Sequence, residues 1–170
     1  MKQLRLYLML GYPGAGKTTA SKIISNMTGA VHIWADHERQ LMFKNPSHSQ
    51  IESNTLYDHL NKRTKELLAD RHSVVFDTSF NRYKDRQHLR AIADKYGAKT
   101  IVIWINTSKN LSQKRATHEN QAIRNHHPAV MGKEEFLKII SHFEPPRQDE
   151  EYYAIDGEGL DPESLSPVLR

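Results

Sequence analysis

The chain reads as an α/β protein: one domain built on a parallel sheet with helices on both faces. Three observations predict this. Short apolar runs alternate with segments whose apolar residues recur at helical spacing, the pattern of strands joined by crossover helices. The 170 residues suffice for one buried core and leave no room for a second domain of ordinary size. The first apolar run, RLYLML from Arg5 to Leu10, breaks off at Gly11 into a glycine-rich turn.

The elements follow in order. Arg5–Leu10 is apolar and bounded by a turn, so it reads as a buried strand. Ala20, Ile23, Ile24 and Met27 then recur at i, i+3, i+4 and i+7, one face of a helix that Gly29 stops. Val31–Trp34 is a second short strand. Arg39–Gln50 contains Asn45-Pro46-Ser47 and is expected to be irregular in part. Leu56, Leu60, Leu67 and Leu68 line a helix ending near Asp70. Ser73–Phe76 is a third strand. Leu89, Ile92, Ala93 and Tyr96 mark the next helix, stopped by Gly97. Ile101–Ile105 (IVIWI) is continuous and apolar, as a strand covered on both faces must be. A polar helical stretch runs from Asn110 to about Asn125. Phe136, Ile139, Ile140 and Phe143 form a last helix face, ended by Pro145-Pro146. Tyr152–Ile155 is a candidate fifth strand, and residues 156–170 read as a loose acidic tail. Trp34 and Trp104 fall in apolar strands and are expected in the core rather than as base-stacking platforms.

Composition narrows the function. No apolar run approaches the about 20 residues of a membrane span, so no membrane partner is expected. The apolar start is too short for a signal peptide, and with no cysteine there are neither disulfides nor thiolate zinc sites. A cytoplasmic location is expected. The net charge is +4, but residues 144–170 carry eight acids against Arg147 and Arg170. Residues 1–143 therefore hold 22 bases and 12 acids, a net of +10. Such a body either favours an anionic partner or is a solvated charged surface.

In an open parallel sheet, functional residues gather past the carboxyl ends of the strands. Past the first strand stands Gly11-Tyr-Pro-Gly-Ala-Gly16-Lys17-Thr18, a complete G-x-x-x-x-G-K-[ST] phosphate-binding loop between strand and helix. Its glycines let successive N–H groups converge on a polyphosphate, and the following helix adds its open amides and positive dipole end. Gly14, Ala15, Gly16, Lys17, Thr18 and Thr19 form the expected ATP cradle. Lys17 neutralises the β and γ phosphates, and the Thr18 hydroxyl is placed to ligate Mg²⁺. Past the second strand, Asp36-His-Glu-Arg39 places a carboxylate and a guanidinium on one side of a helical turn. Asp36 is a candidate proton acceptor and Arg39 a candidate clamp for an anionic acceptor; a surface ion pair or helix cap is the alternative. Past the third strand, Asp77 is a candidate Mg²⁺ and substrate group, with Asn81 and Arg86 as weaker substrate or structural candidates. Past the fourth, Arg115 and Arg124 are alternatives for an arginine delivered to the phosphates by a lid over about residues 110–131. His118, His126 and His127 lack metal-ligand spacing and are not read as a metal site.

Together, the phosphate loop, Asp36-x-x-Arg39, Asp77-Thr-Ser-Phe-Asn81 and an arginine-bearing lid followed by Phe143-Glu-Pro-Pro resemble P-loop kinases of the polynucleotide kinase type over about residues 5–145. The resemblance implies a three-layer, adenylate-kinase-like fold with strand order 2-3-1-4-5. It also implies ATP and Mg²⁺, Asp36 as general base for a hydroxyl, Arg39 on the acceptor's phosphate, and Arg124, or else Arg115, as lid arginine. The expected activity is transfer of the ATP γ-phosphate to a hydroxyl, foremost a polynucleotide 5′-hydroxyl. A small-molecule kinase of the same fold and a P-loop ATPase switch without acceptor are the alternatives. The longer spacing between Arg115 and Arg124 departs from the polynucleotide pattern.

Overall fold

The computed structural model describes residues 3–118 and 130–169. Its five-stranded sheet follows from the apolar runs. β1 (Arg5–Leu10), β2 (Val31–Trp34), β3 (Val74–Asp77), β4 (Lys99–Asn106) and β5 (Tyr152–Asp156) pair in the order 2-3-1-4-5. Every neighbouring pair is parallel. β1 lies at the centre, bonded to β3 from Leu6↔Val74 and to β4 from Arg5↔Lys99. A strand with partners on both edges and helices on both faces must be apolar throughout, and five of its six residues are buried.

The helices are α1 (Lys17–Thr28), α2 (Ala35–Met42), α3 (Gln50–Ala69), α4 (Tyr83–Lys95), α5 (Lys109–Thr117) and α6 (Lys133–Ile140). Ile24 and Ala20 of α1 pack with Tyr7, Met9 and Val75 on one face of the sheet. Leu56, Leu60 and Leu68 of α3 and Leu89 and Ile92 of α4 pack with Leu6, Leu8 and Phe76 on the other. The caps are local: Ser49 Oγ accepts from Glu52 N at the start of α3, and Gly29 closes α1 in the left-handed region.

Several expectations are corrected. Residues 156–170 are not a loose tail. Leu165 and Val168 are fully buried in the α1-side core, Ser166–Leu169 forms a 3₁₀ turn, and Arg5 donates to the carbonyls of Val168 and Leu169. The polar helix ends at Thr117, with His118 extended, rather than near Asn125; residues 119–129 lie outside the described chain. Phe143 lies beyond α6 instead of within it. Asp77 is the last residue of β3, not the first beyond it. Neither tryptophan is fully buried. Trp104 lies against Phe143, with ring centroids 5.9 Å apart.

Candidate active site

The loop after β1 turns back on itself through the Ala15 N–H donating to the Tyr12 carbonyl at 3.0 Å. Gly16 caps α1 in the left-handed region, and the first turn of α1 has neither a side-chain cap nor an acid. Its amides and dipole thus meet the loop uncompensated, the arrangement that favours anionic oxygen. Gly14 is glycine for two reasons. Its φ is +78°, and a Cβ there would stand 2.3 Å from the Ser112 carbonyl of α5. The close approach is therefore to α5 as well as to whatever the loop cradles.

Half-buried Lys17 reaches across the loop, and its ammonium donates to the carbonyls of Gly11 at 3.0 Å and Tyr12 at 2.8 Å. Burial pushes this ammonium down from its ordinary 10.5 to about 8, against the opposing pull of Asp77 and then Asp36. The charges of both carboxylates thus reach the lysine. Thr18 stands half-buried in the first turn of α1. Among the described residues no cluster of three histidine or acidic side chains could hold a metal ion. The hydroxyl of Thr18 and the carboxylate of Asp77 are hard oxygen donors, which suits Mg²⁺ bound through a few protein ligands, phosphate oxygens and water.

Asp77 is buried and accepts from His32 Nε2 at 3.0 Å. Asp36 sits half-buried in the first turn of α2. It also bears on Tyr57, whose hydroxyl is bonded to Thr78 at 2.8 Å. Burial raises the Tyr57 phenol, with Asp36 adding to the rise and the Thr78 bond and Arg39 opposing it.

Arg39 is placed differently from the expectation of a free anion clamp. It is 7% exposed, its Nη1 donates to Glu52 and its Nη2 to Ser53. Glu52 also accepts from the Ser47 hydroxyl and the His48 N–H, so this pair ties α2 to the start of α3. Asn81 is buried with no partner for its side chain among the described residues, while its carbonyl accepts from Glu144 N. Arg86 is structural. Buried at 1%, it pairs with Glu150 through Nε at 2.7 Å and Nη2 at 2.8 Å, and donates to the carbonyls of Phe80 and Glu144. Arg115 donates to the Gly157 carbonyl at 3.2 Å, anchoring α5 to the segment after β5. Arg124, His126 and His127 lie outside the described residues.

Two contributors went unnoticed in the sequence. His32 is one; a lone histidine in a short strand carries no motif. The other is the segment after β5. Thr107 Oγ1 donates to the Ala15 carbonyl at 2.7 Å, Gly157 fits against both, and Leu160 lies against Gly16. The phosphate loop thus rests on the carboxyl ends of β4 and β5. A cavity of ≈ 330 Å³ lies elsewhere, between α4 and the start of β4, rimmed by the Arg90–Asp149 and Lys99–Glu151 pairs.

No helix among the described residues is long and apolar enough to cross a membrane. No curated protein matches the chain. Solved structures share its fold. A sugar kinase from Janibacter sp. superposes with a TM-score of 0.71 at 15% identity, covering 98% of this chain and 92% of that one. A gluconokinase from Sinorhizobium meliloti gives 0.67 at 18%, covering 99% and 91%. The Mycobacterium tuberculosis APS kinase CysC, in complex with AMPPNP and APS, gives 0.64 at 14%, covering 99% and 97%. Residues 6–146 match the family model described as an AAA domain, AAA_33, and by that match the chain belongs to this family.

Proposed function

We propose that the protein is an ATP-dependent phosphotransferase that moves the γ-phosphate to a hydroxyl of a small acceptor. One observation carries this reading: Lys17, at the phosphate loop after β1, feels the charge of two carboxylates at the carboxyl ends of the other two strands on that side of the sheet, Asp77 closing β3 and Asp36 in the first turn of α2 after β2. One acid suits the metal side of a triphosphate and the other the incoming hydroxyl. The kinase folds among its structural neighbours support the same class.

In this reading the loop amides and Lys17 hold the β and γ phosphates. Thr18 and Asp77 hold Mg²⁺, which when bound neutralises phosphate charge. Asp36 accepts the proton of the acceptor hydroxyl as its oxygen attacks phosphorus, and ADP leaves. A lid arginine, Arg124, then stabilises the transferring group, with Arg115 anchoring the lid base. Excluding water protects ATP from hydrolysis.

Arg39 weighs on the choice of acceptor. Its guanidinium is already spent on Glu52 and Ser53, so a phosphate on the acceptor finds no free clamp there. The polynucleotide 5′-hydroxyl reading keeps the Asp36-x-x-Arg39 spacing and the +10 body in its favour. Incubation with labelled ATP and Mg²⁺ separates them, using a panel of polyols and nucleosides beside 5′-hydroxyl RNA and DNA. Label on a small alcohol is the expected result. Label on oligonucleotide ends supports the second reading, and phosphate release indifferent to every acceptor supports a switch ATPase. Asp36→Asn is expected to lower transfer by about 10²–10⁴-fold, the usual worth of a general base, with nucleotide affinity nearly unchanged. Undiminished transfer in that variant removes Asp36 from the chemistry.

A further inference from the structure

We propose that His32 is a positioning residue that sets the carboxylate of Asp77 toward the phosphate loop. The inference rests on the placement of Asp77 beside the metal in the proposed function.

The register makes the contact possible. In the β2–β3 pair His32 stands opposite Val75 and Trp34 opposite Asp77. Side chains alternate along a strand, so these four share the face that α1 covers, where Val75 packs with Ala20 and Ile24. His32 and Asp77 are diagonal neighbours, within reach of a long side chain. His32 Nε2 lies 3.0 Å from Asp77 Oδ2. Among the described residues this is the one hydrogen bond to the Asp77 side chain, and that side chain is 3% exposed. The bond engages Oδ2, and Asp77 closes β3, the strand paired directly with β1, which leads into the loop.

The histidine is itself braced. Its ring lies nearly parallel to that of Trp34, at 8° with centroids 6.3 Å apart. Trp34 in turn stacks on His37 at 5.4 Å, and the Lys22 ammonium sits 5.1 Å from the Trp34 ring centre. Trp34 Nε1 has no partner among the described residues, so the indole offers Asp77 no competing bond. A buried carboxylate with one fixed donor holds one orientation; without that donor it turns and samples others. Neutral imidazole protonated on Nε2 and imidazolium both supply this N–H.

Two substitutions separate positioning from packing. His32→Phe keeps a ring against Trp34 and removes the donor. His32→Gln keeps a donor and removes the ring. Mn²⁺ binding to the ADP complex is read by the loss of the free-ion electron paramagnetic resonance signal, beside ADP affinity in excess chelator and the melting temperature. The expected result is a Mn²⁺ affinity about 10–100-fold weaker in His32→Phe, recovered largely in His32→Gln, with chelator-treated ADP affinity within about twofold in both. Wild-type Mn²⁺ affinity in a folded His32→Phe overturns the proposal. So does the reverse order, with His32→Gln impaired and His32→Phe normal, because packing then matters and the donor does not. If the wild-type ADP complex takes up no Mn²⁺, the metal role of Asp77 falls and the inference falls with it.

Discussion

Lys17 concentrates the electrostatics of the site in a single side chain. Its ammonium is held near 8 by burial, which outweighs the pull of Asp77 and Asp36. A bound triphosphate brings several negative charges to that ammonium and raises its pKa again. The sign follows. Above about pH 8 the free protein carries mostly neutral Lys17 while the complex carries it charged, so nucleotide binding takes up a proton. Affinity should fall as pH climbs past 8, and calorimetry in two buffers of different ionisation enthalpy should show uptake approaching one proton. Lys17→Ala should abolish that uptake, weaken activity by at least about 100-fold and leave the fold intact. Residues of this kind were legible because phosphate binding imposes a local spacing: Gly11 through Thr18 is contiguous. Arg39 was not legible in the same way. Its partner Glu52 lies 13 positions on, in another helix, and nothing in Asp36-x-x-Arg39 announces it.

The α2–α3 junction behaves as one unit because Glu52 collects donors from both sides. Burial alone would raise its carboxyl, but the Ser47 N–H, Arg39, the Ser47 hydroxyl and the His48 N–H together hold it near 2. A depressed acid contributes stability that is complete above its unfolded value of 4.5 and disappears as pH falls through about 2. Glu52→Gln should flatten the urea midpoint against pH between about 5 and 2, while wild type declines over that range. At the other end of the sheet, the turn after β5 is built around Gly157. A Cβ there would meet Thr107 Oγ1 at 1.8 Å and the Ala15 carbonyl at 2.5 Å. Gly157→Ala should cost about 1–3 kcal/mol in denaturant unfolding, the usual scale of overpacking, and weaken nucleotide binding because Ala15 belongs to the loop. The strands and most helices could be read from period alone, since burial on one or both faces writes itself into neighbouring residues. The segment after β5 could not. Its acids and glycines dominate locally, and Leu160, Leu165 and Val168 pack against the core at spacings dictated by the sheet beneath.

Across the whole molecule, the acidic end segment and the basic body meet in one buried ion pair. Arg86 of α4 and Glu150, just before β5, are 1% and 2% exposed, and the guanidinium also bonds the carbonyls of Phe80, Glu144 and Pro145. Removing one member strands a charge in the interior. Glu150→Ala should therefore cost about 3–5 kcal/mol, read as a lowered urea midpoint with an unchanged slope. A loss below about 1 kcal/mol would mean that water reaches Arg86 and replaces the carboxylate. The net charge of residues 1–143 foretold none of this pairing, because composition counts charges without saying which of them are already satisfied.

The phosphate loop also touches an aromatic chain. Tyr12 packs edge-on against Phe143 at 5.0 Å, and Phe143 lies 5.9 Å from Trp104, one of the chain's two tryptophans. A ligand that shifts Tyr12 shifts the surroundings of that indole, so the protein carries its own fluorophore at the mouth of the loop. With Trp34 replaced by Phe, emission from Trp104 alone would follow occupancy in real time, with no dye attached.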